Sequence, residues 1–432
     1  MTRTPAETIV EVLSFSNELG DCIHELEKFN PREWRRILGW LDDAGLAFYF
    51  LEKLKNTNAA ETVPAWVMSR LEKNFAANRL RVGDMSHRFG ALNQKFNDAG
   101  VRYAVLKGFS LVPQFCPDLA LRHLSDLDYL VEEQSLSAAQ RILLEAGYCP
   151  KLSRSNQESI LVMPGMGGPS RSAVQYDARA PHAVELHLDI WDSDQHKLPM
   201  LPQQFFVERA EPTYWNGFTF PALADEDAFL LQILHACQHL FTYWIRMSSL
   251  FEIGYFLNRR ASDASLWDRV EERVGDNLML REFVVVITEL VGKLFAPPIP
   301  PLVRAWGSSI RPGPRVWIEN YARHSAFCET PGYDFRLFPR AKLVLFLLQE
   351  YTYAYARKHT LENRMLPSMR LSRMVSAVKN KPSLLLDTAW WKRQLLLKRS
   401  LFHALAALRY FCEIPRWKWL NRARMRSISA NV

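Results

Sequence analysis

The stretch from Ser125 to Val131 reads Ser-Asp-Leu-Asp-Tyr-Leu-Val and sets two carboxylates, Asp126 and Asp128, two residues apart inside an apolar run. Leu124, Leu127, Leu130 and Val131 around the pair predict a short buried strand, in which residues i and i+2 point to one face. Both acids therefore face the same way. Like charges at that spacing on a dry surface raise each other's pKa unless a cation sits between them or one stays protonated. A divalent ion is the usual solution, and carboxylate oxygens suit Mg²⁺ or Mn²⁺ better than zinc.

Working outward, Tyr103 to Ser110 reads as a short apolar strand, Tyr103 to Leu106, ending in Lys107 and Gly108, with a helix from Phe109 to Phe115. A glycine and a small hydroxyl residue where a strand meets a helix make a phosphate seat. The glycine admits backbone close to a ligand, helix-start N–H groups are unpaired, and Ser110 can donate its hydroxyl beside the charge of Lys107. Downstream, His182 to Ile190 alternates with period 2, which puts Glu185, His187 and Asp189 on one face and Val184, Leu186 and Leu188 on the other. That face can bring a third carboxylate to the first two, and Glu185 and Asp189 are both candidates.

This arrangement resembles the nucleotidyltransferase superfamily built on a DNA-polymerase-β-like palm, whose pattern is a Gly-Ser turn after a strand, D-x-D on the next strand and one acid on a later strand. It is more closely similar to a bacterial family usually labelled uncharacterised nucleotidyltransferases, marked by a Leu-Lys-Gly strand end, an Arg shortly before D-x-D and a Glu-Leu-His strand. The matching residues are Leu106-Lys107-Gly108, Arg122, Asp126 with Asp128, and Glu185-Leu186-His187, and the likeness runs from Val101 to about Leu250. Phe109 stands between Gly108 and Ser110, a departure from the minimal turn.

The resemblance implies an α+β fold, with a small mixed sheet as palm flanked by N-terminal helices and a larger C-terminal helical region. It also implies transfer of a nucleoside monophosphate from a nucleoside triphosphate to an acceptor hydroxyl of a small molecule, protein or RNA, with pyrophosphate leaving. Asp126, Asp128 and Glu185 are then the catalytic acids and the ligands of Mg²⁺ or Mn²⁺. Lys107, Gly108, Ser110 and Arg122 hold the nucleotide, and His187, Asp189 and His235 stand on the acceptor side or behind the ligands. The alternative is a catalytically inactive nucleotide-binding or regulatory protein on the same fold.

Along the chain, residues 1–100 read as an N-terminal helical region, 101–223 as the palm and 224–432 as a C-terminal helical region with a basic tail. Pro64 marks a helix start and Asn97-Asp98-Ala99-Gly100 a helix stop. Within the palm, further elements are a strand over Leu127 to Val131, a helix over Gln134 to Ala146 and a strand at Tyr148. A hairpin of Ser172 to Tyr176 with Ala183 to Ile190 follows, then a strand at Phe218 to Phe220. Met163 to Ser170 is a Gly/Pro loop, either a flap over the site or plain surface.

Asp225, Glu226 and Asp227 open an apolar helix in which His235 and His239 share a face. Without a Glu after the first His this is not a zincin motif. Tyr351, Tyr353 and Tyr355 read as core or interface.

At 432 residues, 48% apolar and 23% charged, the chain has room for two or three domains. Its six cysteines are scattered with no C-x-x-C pair, which excludes a zinc ribbon and suggests reduced thiols. No apolar run approaches a bilayer span and the N-terminus lacks a secretory pattern, so the expected location is cytoplasmic. Of the net charge of +8, residues 391–432 hold ten Lys or Arg against the single acid Glu413, a net of +9, which leaves −1 for the rest. Three readings of this tail stand: a solvated helix packed by its apolar side, a weak membrane-surface contact, or an RNA arm built on Arg416, Trp417, Lys418 and Trp419.

Overall fold

The computed structural model describes residues 3–16, 20–151, 158–163, 176–177, 182–191, 206–242, 245–327 and 415–426. The chain divides into two compact units, one of Met1–Gln195, Met200–His239 and Ile245–Ser309, the other of His196–Pro199, Leu240–Trp244 and Ile310–Val432.

The first unit opens with helices α1 (Pro5–Val12), α2 (Gly20–Leu26), α3 (Pro31–Ala44), α4 (Ala47–Asn56) and α5 (Ala65–Asp98). Thr4 with Glu7 and Asn30 with Glu33 form reciprocal capping boxes at α1 and α3, each followed by a proline that costs no hydrogen bond in the first turn. Pro64 and the Ala99-Gly100 stop bound α5 where the sequence places them.

A seven-stranded mixed sheet follows, built from β1 (Tyr103–Val105), β2 (Asp126–Val131), β3 (Cys149–Lys151), β4 (Glu158–Val162), β5 (Ala183–His187), β6 (Glu211–Trp215) and β7 (Phe218–Ala222), with α6 (Glu133–Glu145) after β2. Its order is β3-β4-β5-β2-β1-β7-β6, with β2 parallel to β5, β1 parallel to β7 and the other pairs antiparallel. Leu127, Tyr129 and Val131 of β2 and Val184 and Leu186 of β5 join Phe89, Leu92 and Phe96 of α5 and Ala139, Ile142 and Leu143 of α6 in one buried core. Each large side chain so buried contributes about 1.5–3 kcal/mol. By alternation, Asp126, Asp128, Glu185 and His187 lie on the opposite face of the sheet.

Helices α7 (Asp225–Thr242), α8 (Met247–Arg260), α9 (Ala264–Val274), α10 (Leu278–Phe295) and α11 (Pro301–Ser309) come next. The N-terminal helices do not stand apart from these: Phe15 N–H donates to Phe295 O at 2.7 Å, and the Phe15 ring stacks on Phe251. In the second unit, α12 (Pro312–Asn320), α13 (Ala322–Ala326) and a helix over residues 415–426 are described. Trp417 is buried against the Tyr321 ring while Trp419 is exposed, so the Arg-Trp-Lys-Trp alternation falls on a helix and offers solvent one of its two tryptophans. Within the described residues, no helix is long and apolar enough to cross a membrane.

Three local expectations are corrected. The antiparallel partner of β5 is β4, Glu158–Val162, where the sequence suggests Ser172 to Tyr176; Tyr176 lies in a turn and residues 172–175 are outside the described set. The helix expected over Phe109 to Phe115 is a single 3₁₀ turn, Gly108–Leu111, because Phe109 and Leu111 both turn into the core. β5 stops at His187, so the alternation does not extend to Asp189. The glycine-rich loop beyond Met163, the tyrosines at 351 to 355 and the tail from Trp390 to Phe411 lie outside the described residues.

Candidate active site

β2 and β5 run side by side in parallel, with Asp128 opposite Glu185, Asp126 opposite Ala183 and Leu130 opposite His187. Adjacent strands lie about 4.8 Å apart, so this register sets side chains from the two motifs next to one another. Ligand atoms of Asp128, Glu185 and His187 all lie within 4.8 Å of each other. Asp126 stands one pleat along β2, outside this group of three. Two carboxylates and one imidazole form a donor set that fits a divalent cation.

One ammonium and one imidazole of the protein already lie against these acids. Lys107 Nζ is 3.1 Å from Asp128 Oδ1, and His187 Nε2 is 3.2 Å from that same oxygen and 3.7 Å from Glu185 Oε2. Burial opposes ionisation of Asp128, but the Lys107 ammonium and the hydrogen bond with His187 overcome it and hold the carboxyl well below its usual range. Glu185 goes the other way: burial, then repulsion from Asp128 and Asp126, push it up to about 7. Asp126 is raised by burial and by Asp128. Burial would lower Lys107, yet the three acids outweigh it and raise the ammonium pKa.

Gly108 sits beside this group with φ +65°, a left-handed conformation that penalises side chains. A Cβ there would meet only Leu124 at 3.7 Å, so backbone conformation rather than space calls for glycine. Ser110 is half-buried in the same 3₁₀ turn. Phe109, between them, is fully buried and stacks on Phe89 at 4.2 Å, which accounts for the extra residue in the turn.

Arg122 approaches from the loop before β2, and its anchor is one the sequence does not announce. Its Nε donates to Glu252 Oε1 at 2.6 Å, and Tyr49 Oη donates to the same oxygen at 2.9 Å. Glu252 lies on α8, wholly buried. An arginine fixed through Nε keeps its terminal amino groups for another partner. His235 shares the neighbourhood: burial first, then Lys107, His239 and Arg122, depress its pKa and keep the ring neutral. Its Nε2 lies 2.9 Å from His239 Nε2, and its Nδ1 is buried with no hydrogen-bond partner.

The structure thus brings Lys107, Gly108, Asp128, Glu185 and His187 together, with Asp126, Arg122 and His235 close enough to interact electrostatically. Glu252, Tyr49 and Arg246 are additions from distant helices. Tyr49 and Glu252 carry no motif; a lone Glu inside the apolar face of α8 is the one available signal.

Comparison with known families places the chain among nucleotidyltransferases. It belongs to the family described as uncharacterised nucleotidyltransferase, whose model matches residues 30–296. No curated protein matches the chain. Among solved structures it is similar to an antigenic nucleotidyltransferase-like protein from Paracoccidioides brasiliensis, at 14% identity and a TM-score of 0.27, over 45% of this chain and 89% of that one.

Proposed function

We propose that the protein is a metal-dependent nucleotidyltransferase that moves a nucleoside monophosphate from a nucleoside triphosphate to an acceptor hydroxyl. The observation that carries this reading is the convergence of Asp128, Glu185 and His187 across the β2–β5 register, with Asp126 also on β2 and Lys107 paired with Asp128. Asp128 and Glu185, with Asp126 or His187 completing the set, would hold Mg²⁺ or Mn²⁺. A divalent ion bound there supplies charge neutralisation for the attacking and leaving oxygens.

The chain's own residues orient and move protons. Gly108 and Ser110 seat the phosphates, and Lys107 and Arg122 offset their charge. The acceptor oxygen forms a bond to the α-phosphorus as the bond from that phosphorus to the bridging oxygen breaks, and pyrophosphate leaves with that oxygen. Glu185 receives the acceptor's proton, with His187 hydrogen-bonded to the neighbouring Asp128 and His235 on the acceptor side.

Incubation with each α-³²P-labelled NTP and Mg²⁺ or Mn²⁺, with and without cell extract, tests this. Label on the protein or an extract component, lost on Asp126→Ala/Asp128→Ala, is the expected result. Absence of both label and NTP binding under every condition would sink the assignment.

A further inference from the structure

Arg246 belongs to no motif, yet it is placed as carefully as the residues that do. It stands immediately before α8, and its guanidinium reaches back over the segment leading into β2. There Nη1 lies 3.5 Å from His123 O and Nη2 lies 3.4 Å from His123 Nδ1. Both distances are at the long limit of hydrogen bonding. Its Nε is shut off from solvent and has no partner. Among the described residues no carboxylate lies within ion-pair distance of Arg246, whereas its neighbour Arg122 has Glu252.

Of two neighbouring guanidinium groups, therefore, only that of Arg122 is paired with a carboxylate. Burial, followed by repulsion from Arg122, pushes the Arg246 pKa down, the direction expected of a cation held in place without a counterion; Glu252, Tyr176 and Asp126 pull the other way. The turn between α3 and α4 secures this position. Gly45 has φ +73°, and a Cβ there would come within 2.6 Å of Arg246 Nε and of Ser248 Oγ. Each Nη carries a second N–H beyond its one long bond to His123, and buried donors are nearly always satisfied, so these groups of the half-buried Arg246, beside a second arginine, call for an external partner, which the enclosed Nε cannot reach. The partner that matches two planar forks is phosphate.

We propose that Arg246 and Arg122 form a clamp for the phosphates of the triphosphate tail, with Arg246 a nucleotide-binding residue supplied by the start of α8. The clamp rests on the proposed use of a nucleoside triphosphate, but it recognises polyphosphate and not the base. Arg122 is oriented through Glu252, and Arg246 through His123 and the close approach at Gly45.

The test is thermal unfolding of the full chain titrated with inorganic tripolyphosphate, with each NTP plus Mg²⁺, and with the corresponding nucleoside monophosphate. Wild type, Arg246→Gln and Arg246→Lys are compared, and the ligand-free melts report whether each variant folds. The clamp predicts that Arg246→Gln weakens tripolyphosphate and NTP binding about tenfold or more, the scale of losing one charge-assisted hydrogen-bond donor, while monophosphate binding is unchanged. Arg246→Lys, which keeps the charge but not the fork, falls between; if the glutamine variant does not fold, equal binding by the lysine variant overturns the proposal. Wild-type midpoints in Arg246→Gln also overturn it, and leave the nucleotidyltransferase reading standing. Tripolyphosphate binding that depends on Arg246, with no NTP bound under any condition, supports the clamp and removes the nucleotide assignment instead.

Discussion

At the start of α7, Glu226 and Asp227 are buried among three arginines; on β2 and β5, Asp128 and Glu185 are given one lysine and one histidine. Arg209 bonds both acids of the first group, while Arg269 takes the second oxygen of Glu226 and Arg273 the second oxygen of Asp227. Burial would raise Glu226, but the hydrogen bond from Arg269 and the surrounding guanidinium charges bring it below its usual value. Glu185, by contrast, is left raised to about 7. The first group is complete within the protein and fastens the 206–209 turn to α7 and α9. The second has more negative charge than its own cations neutralise, and that is the condition in which an exchangeable cation binds.

Breaking the incomplete group should cost activity and little stability. Glu185→Gln is expected to lower label transfer by about 10³-fold, the scale seen when one preorganised electrostatic contact to a transition state is lost, with an unfolding midpoint at or above that of wild type above pH 7, because burial and the repulsion from Asp128 and Asp126 disfavour its ionised form. A variant that unfolds before it loses activity would place Glu185 with the structural acids. Breaking the complete group should do the reverse. Arg273→Met leaves the fully buried Asp227 short of a guanidinium and should cost about 3 kcal/mol in urea unfolding, because an uncompensated buried charge is expensive. Its folded fraction should transfer label at the wild-type rate.

A smaller effect sharpens the comparison near the site. His182, at the mouth of β5, is buried and bonded to Tyr148 Oη at 2.8 Å; burial, then Arg88 and Arg81, lower its pKa to about 4. An unfolded histidine titrates near pH 6.5. The folded state resists protonation down to about 4, so this contribution is full above pH 6.5 and is lost as pH falls from 6.5 towards 4. Its size is about 2 kcal/mol, by linkage. Wild type should lose that much more stability than His182→Gln between pH 7 and pH 4.5, and parallel curves for the two would contradict the assignment.

What the sequence made legible follows from where its signals are local. Asp126 and Asp128 share a face because a strand alternates, and Glu185 and His187 do so for the same reason; both pairs could be read without a structure. Their meeting could not, because it depends on β2 and β5 pairing in parallel across more than fifty residues, with Asp128 opposite Glu185. The strand β4 escaped because Glu-Ser-Ile-Leu-Val is short and its apolar residues Ile160, Leu161 and Val162 run together without alternating, while the competing segment near Tyr176 alternates. Asp189 was placed with Glu185 by extending the alternation past the true end of the strand. Glu252 and Arg246 reach Arg122 and His123 only through the packing of α8; the apolar face around Glu252 is a faint local signal, and nothing in its own surroundings marks Arg246. Gly45 is similar: it is the left-handed C-cap of α3, and its closeness to Arg246 is tertiary.

The proposed function turns on Asp128, Glu185 and His187 taking up a divalent ion that the arginine-compensated acids of α7 do not. Titration of the purified chain with Mn²⁺, followed by loss of the free-ion electron paramagnetic resonance signal, addresses it directly in wild type, Asp128→Asn and Arg273→Met. The account predicts saturable binding by wild type and by folded Arg273→Met, and little or none by Asp128→Asn. Equal binding by wild type and Asp128→Asn would contradict it.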